Sequence, residues 1–307
     1  MAQNKRQSSS WSPLQAFRNL LGGNAPPQPP EDNNRARYLT DLIYQHRNFD
    51  VKGIAAPGEA TLLLPHVFVD VGLGKGRGTA PTNPIPPLQK QTEEQRFSIW
   101  RFLNGHATKH PQNLVVLGAP GTGKTTLLKH LALSLADSPK KTAQKVKTPI
   151  LLYLRDYAEE ISKNPNFKLL QAVQLLLTNR KVEIALEWLQ EALANGRCLV
   201  MLDGLDEVAN LEQRQQVAAW VQRQIHQHLR NQFIITSRPF GYESNPLPDT
   251  LLLEVKPFTI EQVRHFVDNW YFATEVQSQG RDDAGVRQDA AQRAADLMQR
   301  LHPTPDL

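Results

Sequence analysis

The stretch "NLVVLGAPGTGKTTLL", Asn113 to Leu128, joins an apolar run of strand length to a glycine-rich turn and the start of a helix. The turn, Gly118 to Thr126, has the spacing G-x-x-x-x-G-K-[ST], in which glycines let successive backbone N–H groups point at phosphate oxygens. The helix that begins there adds the positive end of its dipole. A glycine turn without function is the alternative, but the flanking strand and helix favour a nucleotide phosphate site.

Every position of this phosphate loop is expected to contact the nucleotide. Lys124 places its ammonium group against the β- and γ-phosphates, and the Thr125 hydroxyl can ligate Mg²⁺. The predicted nucleotide-binding residues are Gly118, Ala119, Pro120, Gly121, Thr122, Gly123, Lys124, Thr125 and Thr126.

A second apolar run, "LVMLDGLDEV" from Leu199 to Val208, ends with three carboxylates within five positions. If its strand lies parallel to the phosphate-loop strand, Asp203 can hold the Mg²⁺ that bridges the phosphates, acting through a water of the metal. Asp206 and Glu207 follow, where a carboxylate can orient or deprotonate the water that attacks the γ-phosphate. Gly204 occupies the position at which many ATPases carry a glutamate, so the later pair is assigned this role. A solvated acidic loop is the alternative, which the phosphate loop disfavours.

A third apolar run, "FIITSRPFGY" from Phe233 to Tyr242, ends in the polar residues Thr236–Arg238. Ligands of open α/β sheets bind outside the carboxyl ends of the strands, so a hydroxyl and a guanidinium there can sense the γ-phosphate. Arg238 offers several donors to a charged group that hydrolysis removes. The alternative is that Arg238 pairs with Asp203 or Asp206.

From Asn113 onward, apolar runs alternate with amphipathic stretches, which is typical of an α/β fold with a parallel sheet. Uninterrupted apolar runs suit strands covered on both faces, so the sheet is expected in the middle of a three-layer sandwich. The expected strands are Leu114–Leu117, Ile150–Leu154, Cys198–Leu202, Phe233–Ile235 and Leu251–Val255. The expected helices are Lys124–Ala136, Leu169–Leu177, Glu183–Ala194 and Leu211–Leu229.

The region before the phosphate loop carries weaker signals. Its first residues are rich in Gln, Ser, Asn and Pro and predict a disordered tail, in which Trp11–Leu21 has the spacing of a short docking helix. From Tyr38 we expect an amphipathic helix, a strand-like part at Val67–Val71, a proline-rich spacer and a helix from Thr92 to Leu103. The predicted domains are the tail (1–37), a preceding region (38–111), a P-loop core (112–257) and the start of a helical subdomain (258–307).

The composition limits the partners and the compartment. The 307-residue chain has a net charge of +5, which permits an acidic partner without requiring one. Its lysine cluster, Ser138–Lys147, has no interleaved aromatic residues, so nucleic acid is not expected as a partner. Its apolar runs are shorter than a membrane span, and no secretory signal follows Lys5 and Arg6, so no membrane association is expected. The single cysteine, Cys198, fits a reducing cytoplasm and is expected inside a strand.

Together the three motifs, with "LLYLRDYAEEI" between the first two, resemble a NACHT domain, the nucleotide-binding core of STAND-class signalling NTPases. The form Asp203-Gly-x-Asp-Glu and the sequence Thr-Ser-Arg-Pro from Thr236 carry most of this resemblance. It implies ATP and ADP as the nucleotides, and a strand order with the Thr236 strand between the phosphate-loop strand and the Asp203 strand. It also implies slow, Mg²⁺-dependent ATP hydrolysis used as a switch, with self-association of a complete family member.

The end of the chain departs from the family pattern. STAND proteins continue through a helical subdomain and a winged-helix domain, whereas this chain stops at "LHPTPDL". The resemblance therefore implies a truncated chain, whose incomplete helical subdomain leaves the apolar face of Ile260–Phe272 partly uncovered.

Two other classes of function stay open. One is a nucleotide-binding scaffold that does not hydrolyse ATP, against which the intact motifs argue. The other is an AAA+-like ATPase that acts on DNA. The separation of Asp203 from Glu207 and the lack of a DNA-reading motif argue against this second class.

Overall fold

The computed structural model describes residues 30–49, 62–76, 96–103, 111–137 and 147–301, with the backbone alone for residues 30–32. The predicted docking helix Trp11–Leu21, the proline-rich spacer and most of the lysine cluster lie outside the described residues. Within the described ranges, no helix combines the length and the apolar character that crossing a membrane requires.

The described residues form one sheet of six strands. The strands are β1 (Leu73–Lys75), β2 (Asn113–Leu117), β3 (Thr148–Tyr153), β4 (Cys198–Asp203), β5 (Gln232–Ser237) and β6 (Thr250–Val255), in the order β1-β6-β2-β5-β4-β3. Strand β1 is antiparallel to β6, and the other neighbours are parallel. The five predicted strands are confirmed, and so is the position of β5 between β2 and β4. The carboxyl ends of these three strands therefore meet at one edge.

The helices cover both faces of the sheet. Successive strand residues point to opposite faces, and every residue of β4 and β5 is buried, so neither face is open. The helices are α1 (Pro30–His46), α2 (Leu64–Val67), α3 (Trp100–Leu103), α4 (Lys124–Ala136), α5 (Ala158–Lys163), α6 (Leu169–Asn179), α7 (Glu187–Ala194), α8 (Leu211–Gln227), α9 (Pro239–Glu243), α10 (Ile260–Gln279) and α11 (Ala284–Leu301). Two 3₁₀ turns, Leu154–Tyr157 and Leu205–Glu207, follow β3 and β4. The predicted three-layer P-loop architecture is confirmed.

Helix α1 is attached to the sheet by polar contacts as well as by its apolar face. The Tyr38 hydroxyl donates to the Pro149 carbonyl of β3 at 2.9 Å, and Arg180, which caps the C-terminus of α6, forms a 2.8 Å ion pair with Asp41. The helix begins at Pro30, so its first turns lie within the range predicted as a disordered tail. The division of the chain into domains stays a prediction.

Two predicted elements before the phosphate loop are wrong in extent. Val67 and Val71 are buried, as the alternation of apolar and polar residues predicts. The pairing of this segment with β6, however, begins only at Leu73. The predicted helix ending at Leu103 begins, among the described residues, at Trp100. Phe97 exchanges backbone hydrogen bonds with Leu73, and this pairing requires an extended chain.

The two C-terminal helices cover each other. Val267 of α10 packs with Ala294 and Met298 of α11, while Ala273 packs with a small cluster around α2. The apolar side chains of Ile260–Phe272 are consequently buried or half-buried. Helices α11 and α2 therefore supply part of the cover of this face, on which Val267 is buried and the other apolar side chains stay half-buried.

Candidate functional site

The phosphate loop between β2 and α4 is shaped by short-range contacts. The backbone N–H and the hydroxyl of Thr122 both donate to the Ala119 carbonyl, at 3.3 and 2.9 Å. Gly121 and Gly123 have φ angles of 76° and 87°, in the left-handed region that favours glycine. The N–H of Gly118 donates to the Ser237 carbonyl at 3.3 Å, which ties the loop to the end of β5.

Positive groups gather where α4 begins. Gly123 is its N-cap and makes no side-chain cap, so the first N–H groups of the helix are left for another acceptor. The Lys124 ammonium donates to the carbonyls of Gly118 and Ala119, at 2.7 and 3.1 Å. Burial lowers the pKa of Lys124, and the nearby carboxylates, Asp206 foremost, partly oppose the shift. A desolvated cation beside uncapped N–H groups is suited to bind an anion.

Asp203, at the end of β4, connects the phosphate loop to β5. Its side chain is buried, and both of its oxygens accept hydroxyl hydrogen bonds, Oδ2 from Thr125 at 2.7 Å and Oδ1 from Thr236. Thr236 in turn accepts a hydrogen bond from the Gly204 N–H at 2.9 Å. The carboxylate is thus held in one orientation, next to the hydroxyl that the sequence assigns to Mg²⁺.

The chain then forms the acidic turn, Asp203 to Glu207. Gly204 has a φ angle of 77°, and the N–H of Glu207 donates to its carbonyl at 3.0 Å. A Cβ atom on Gly204 would lie 3.0 Å from the Glu207 carboxyl carbon. The space beside Gly204 is therefore filled by the side chain of Glu207.

Asp206 is held by Arg238. Its Oδ1 accepts from the Arg238 backbone N–H at 2.9 Å, and its Oδ2 pairs with the Arg238 Nε at 3.0 Å. The Asp206 side chain is only 9% exposed, whereas that of Arg238 is 51% exposed. This pairing is the alternative that the sequence left open for Arg238.

Glu207 contacts a residue that the sequence analysis did not single out, Arg155. The Arg155 Nη1 donates to the Glu207 Oε2 at 2.7 Å. Arg155 follows β3, whose last residue, Tyr153, is paired in register with Asp203. The carboxyl ends of parallel strands share one edge of a sheet. The position of Arg155 directly after a predicted strand is therefore the signal that places it beside the residues that follow β4 and β5.

A cavity of about 680 Å³ opens between this edge of the sheet and α10. One wall carries site residues and the other is aromatic, and the main lining residues are Gly121, Thr125, Asp203, Glu207, Arg155, Phe49, Phe266, Trp270 and Tyr271. A larger cavity of about 780 Å³ lies beside Lys181–Leu186 and contains none of the predicted site residues. The smaller cavity is therefore the candidate site.

The oxygen groups at Asp203 and Thr125 fit Mg²⁺. Across the part of the chain that the structure describes, no three His, Cys, Asp or Glu side chains group closely enough to hold a metal ion by themselves. A cation at Asp203 and Thr125 would take its other ligands from phosphate and water, which is usual for Mg²⁺.

The family comparison agrees with this geometry. The NACHT domain model matches residues 112–274, which is more than half of the chain. The chain belongs to the NACHT family. It is a nucleotide-binding module with the fold of the P-loop NTPases, as the NACHT resemblance of the motifs predicted.

Two solved structures are similar to this NACHT chain at low identity. The Aeropyrum pernix ORC1 protein, in complex with DNA, is 16% identical with a TM-score of 0.32, over 66% of this chain and 58% of that one. The replication initiator DnaA, bound to AMPPCP and single-stranded DNA, is 12% identical with a TM-score of 0.31, over 62% of this chain and 56% of that one. The chain thus spans less than two thirds of the length of either. No curated protein matches the sequence.

Proposed function

We propose that this NACHT chain binds ATP and ADP at the phosphate loop and hydrolyses ATP slowly, as a nucleotide-dependent switch. The observation that carries the proposal is the hydrogen-bonded connection Thr125–Asp203–Thr236, which joins the phosphate loop to the ends of β4 and β5. Bound Mg²⁺ would neutralise charge on the β- and γ-phosphates. Thr125 and Asp203 are the residues that hold it.

The phosphate loop supplies binding. The uncapped N–H groups of α4 and the backbone of Gly118–Thr126 surround the phosphates, and Lys124 exchanges its two loop carbonyls for phosphate oxygens. Thr236 donates a hydrogen bond to Asp203 and so fixes the orientation of the carboxylate that would hold the metal.

Glu207 is the residue we assign to the attacking water. Both oxygens of Asp206 are bound by Arg238, whereas the described part of the chain contacts Glu207 through one carboxylate oxygen. As the water attacks the γ-phosphorus and the bond to ADP breaks, Glu207 accepts the proton of the water. Asp206 then acts by fixing the turn, and the half-exposed guanidinium of Arg238 contacts the γ-phosphate.

The signalling role and the self-association of a complete protein are supported by the family alone. The scaffold alternative predicts nucleotide binding without phosphate release. The DNA-acting alternative predicts retention on DNA that depends on salt and on ATP. Phosphate release and retention on DNA can both be measured on the purified chain.

Binding is tested with Lys124→Ala. Removing a cation from a cluster of phosphate charges should lower the affinity for a fluorescent ATP analogue at least tenfold, about 1.4 kcal/mol. Lys163→Ala is the control, because Lys163 is exposed and pairs with Glu159 outside the cavity. Unchanged affinity in Lys124→Ala would remove the proposed phosphate site.

A further inference from the structure

Arg155 and Glu207 are bonded to each other inside the candidate site. Both side chains line the same cavity as Thr125 and Asp203, and the Arg155 Nη1 lies 2.7 Å from the Glu207 Oε2. One of the two oxygens of the proposed proton acceptor is therefore engaged by a guanidinium group.

This pair is able to exchange partners. The side chains are 54% and 35% exposed, and ion pairs of this kind contribute little to the stability of a fold. The other contacts of the guanidinium are longer, with Asp156 3.5 Å from its Nε and the Tyr153 ring centroid 5.7 Å from its central carbon, and the side chain reaches them at the surface. The guanidinium can therefore turn without unpacking the core.

A terminal phosphate is a stronger acceptor than Glu207. It presents three oxygens with more negative charge than a carboxylate, and a guanidinium can bind two of them at once. ATP brings this group into the cavity and ADP does not.

We propose that Arg155 is a positioning residue that holds Glu207 in the ADP-bound protein and moves to the terminal phosphate in the ATP-bound protein. This inference rests on the proposed function. Arg155 thereby adds to the affinity for ATP over ADP, and it releases Glu207 Oε2 for the water only when there is a phosphate to hydrolyse.

The test compares dissociation constants for ADP and for a non-hydrolysable ATP analogue, each with Mg²⁺. Arg155→Ala should weaken binding of the ATP analogue roughly tenfold, the usual size of a hydrogen bond to a charged group, and leave ADP binding unchanged. Arg155→Lys should restore part of the loss, because it keeps the charge but not the planar fork. Arg197→Ala is the matched control, since Arg197 makes a 2.8 Å pair with Glu191 at similar exposure outside the cavity. It should change neither constant.

Glu207→Gln, combined with Arg155→Ala, tests the exchange itself. Glu207→Gln weakens the hydrogen bond that Arg155 must give up, so it should tighten binding of the ATP analogue when Arg155 is intact. In the Arg155→Ala background, Glu207→Gln should have no effect on that binding. The effects of the two substitutions should therefore not be additive. An equal loss for ADP and for the ATP analogue, or the same Glu207→Gln effect in both backgrounds, would overturn the exchange.

The two proposals fail in different ways. Nucleotide binding that Lys124→Ala leaves unchanged would remove the proposed function, and the role of Arg155 with it. Lys124-dependent binding with an unaltered preference for ATP in Arg155→Ala would overturn the role of Arg155 alone.

Discussion

Asp206 and Glu207 are neighbours in the sequence but have different surroundings. Asp206 is 9% exposed, is bound through both oxygens by Arg238, and has its Cβ against Gly241. Glu207 is 35% exposed, and its side chain has one partner among the described residues, the side chain of Arg155. Asp206 is part of the packing that joins the acidic turn to α9, whereas Glu207 faces the cavity.

The different surroundings of Asp206 and Glu207 indicate that the two acids have different roles in the site. The Asp206 carboxylate is nearly buried, and turning it towards a new partner would break the contacts that join the acidic turn to Arg238. A half-exposed carboxylate with one contact can change partner at small cost. Of the two adjacent acids, the structure therefore favours Glu207 for chemistry and Asp206 for positioning.

The largest expected effect is on turnover. Glu207→Gln preserves shape but removes the proton acceptor, so ATP hydrolysis should slow roughly 10²-fold while Mg²⁺-ATP binding is retained. Phosphate release in a single turnover measures the rate. Asp206→Asn is the control: it keeps an acceptor for the Arg238 N–H and should slow hydrolysis much less. The reverse ranking would show that Asp206 orients the water.

A smaller effect is expected on stability, and here the ranking of the acids is reversed. Asp206→Ala leaves the Arg238 N–H and guanidinium without their acceptor, so the free energy of unfolding should fall by about 2 kcal/mol. Glu207→Ala removes one exposed contact and should lower it by about 0.5 kcal/mol. Urea unfolding of both variants measures these changes. Equal losses would mean that the difference in burial does not separate the two acids.

The phosphate loop could be predicted from the sequence because its contacts are local. Lys124 bonds to Gly118, six positions away, and Thr122 to Ala119, three away. A short segment with the right glycines therefore specifies its own shape. The strands that flank it are continuous apolar runs, which the sequence also displays.

The partners of the acidic turn could not be predicted in the same way. Thr125 is 78 positions from Asp203, and Arg155 is 52 positions from Glu207. These contacts exist because β3 lies beside β4, and because β5 alone separates β4 from β2, the strand that carries the phosphate loop. Hydrophobic periodicity predicts strands but not their order in the sheet. The position of β5 was predicted from the family resemblance instead. Whether Arg238 would bind Asp206 or a phosphate also depended on distances that only the fold sets.

The smallest expected effect is a pH dependence of nucleotide binding, and it compares the two acids once more. Burial lowers the pKa of Lys124, so above that pKa the free loop holds a neutral amine. Phosphates bind the charged form and raise the pKa again, so binding takes up a proton and affinity falls as pH rises through the lowered value. The Tyr153 phenol in the same cavity stays neutral, because burial raises its pKa. Calorimetry at a series of pH values below the ordinary lysine pKa of about 10.4, in buffers of different ionisation enthalpy, measures the uptake. Lys124→Ala should show no proton uptake, and uptake that persisted in this variant would contradict the assignment.

Among the carboxylates, Asp206 opposes the shift of the Lys124 pKa most, and Glu207 least. Asp206→Asn should therefore move the fall in affinity to lower pH, and Glu207→Gln should move it less.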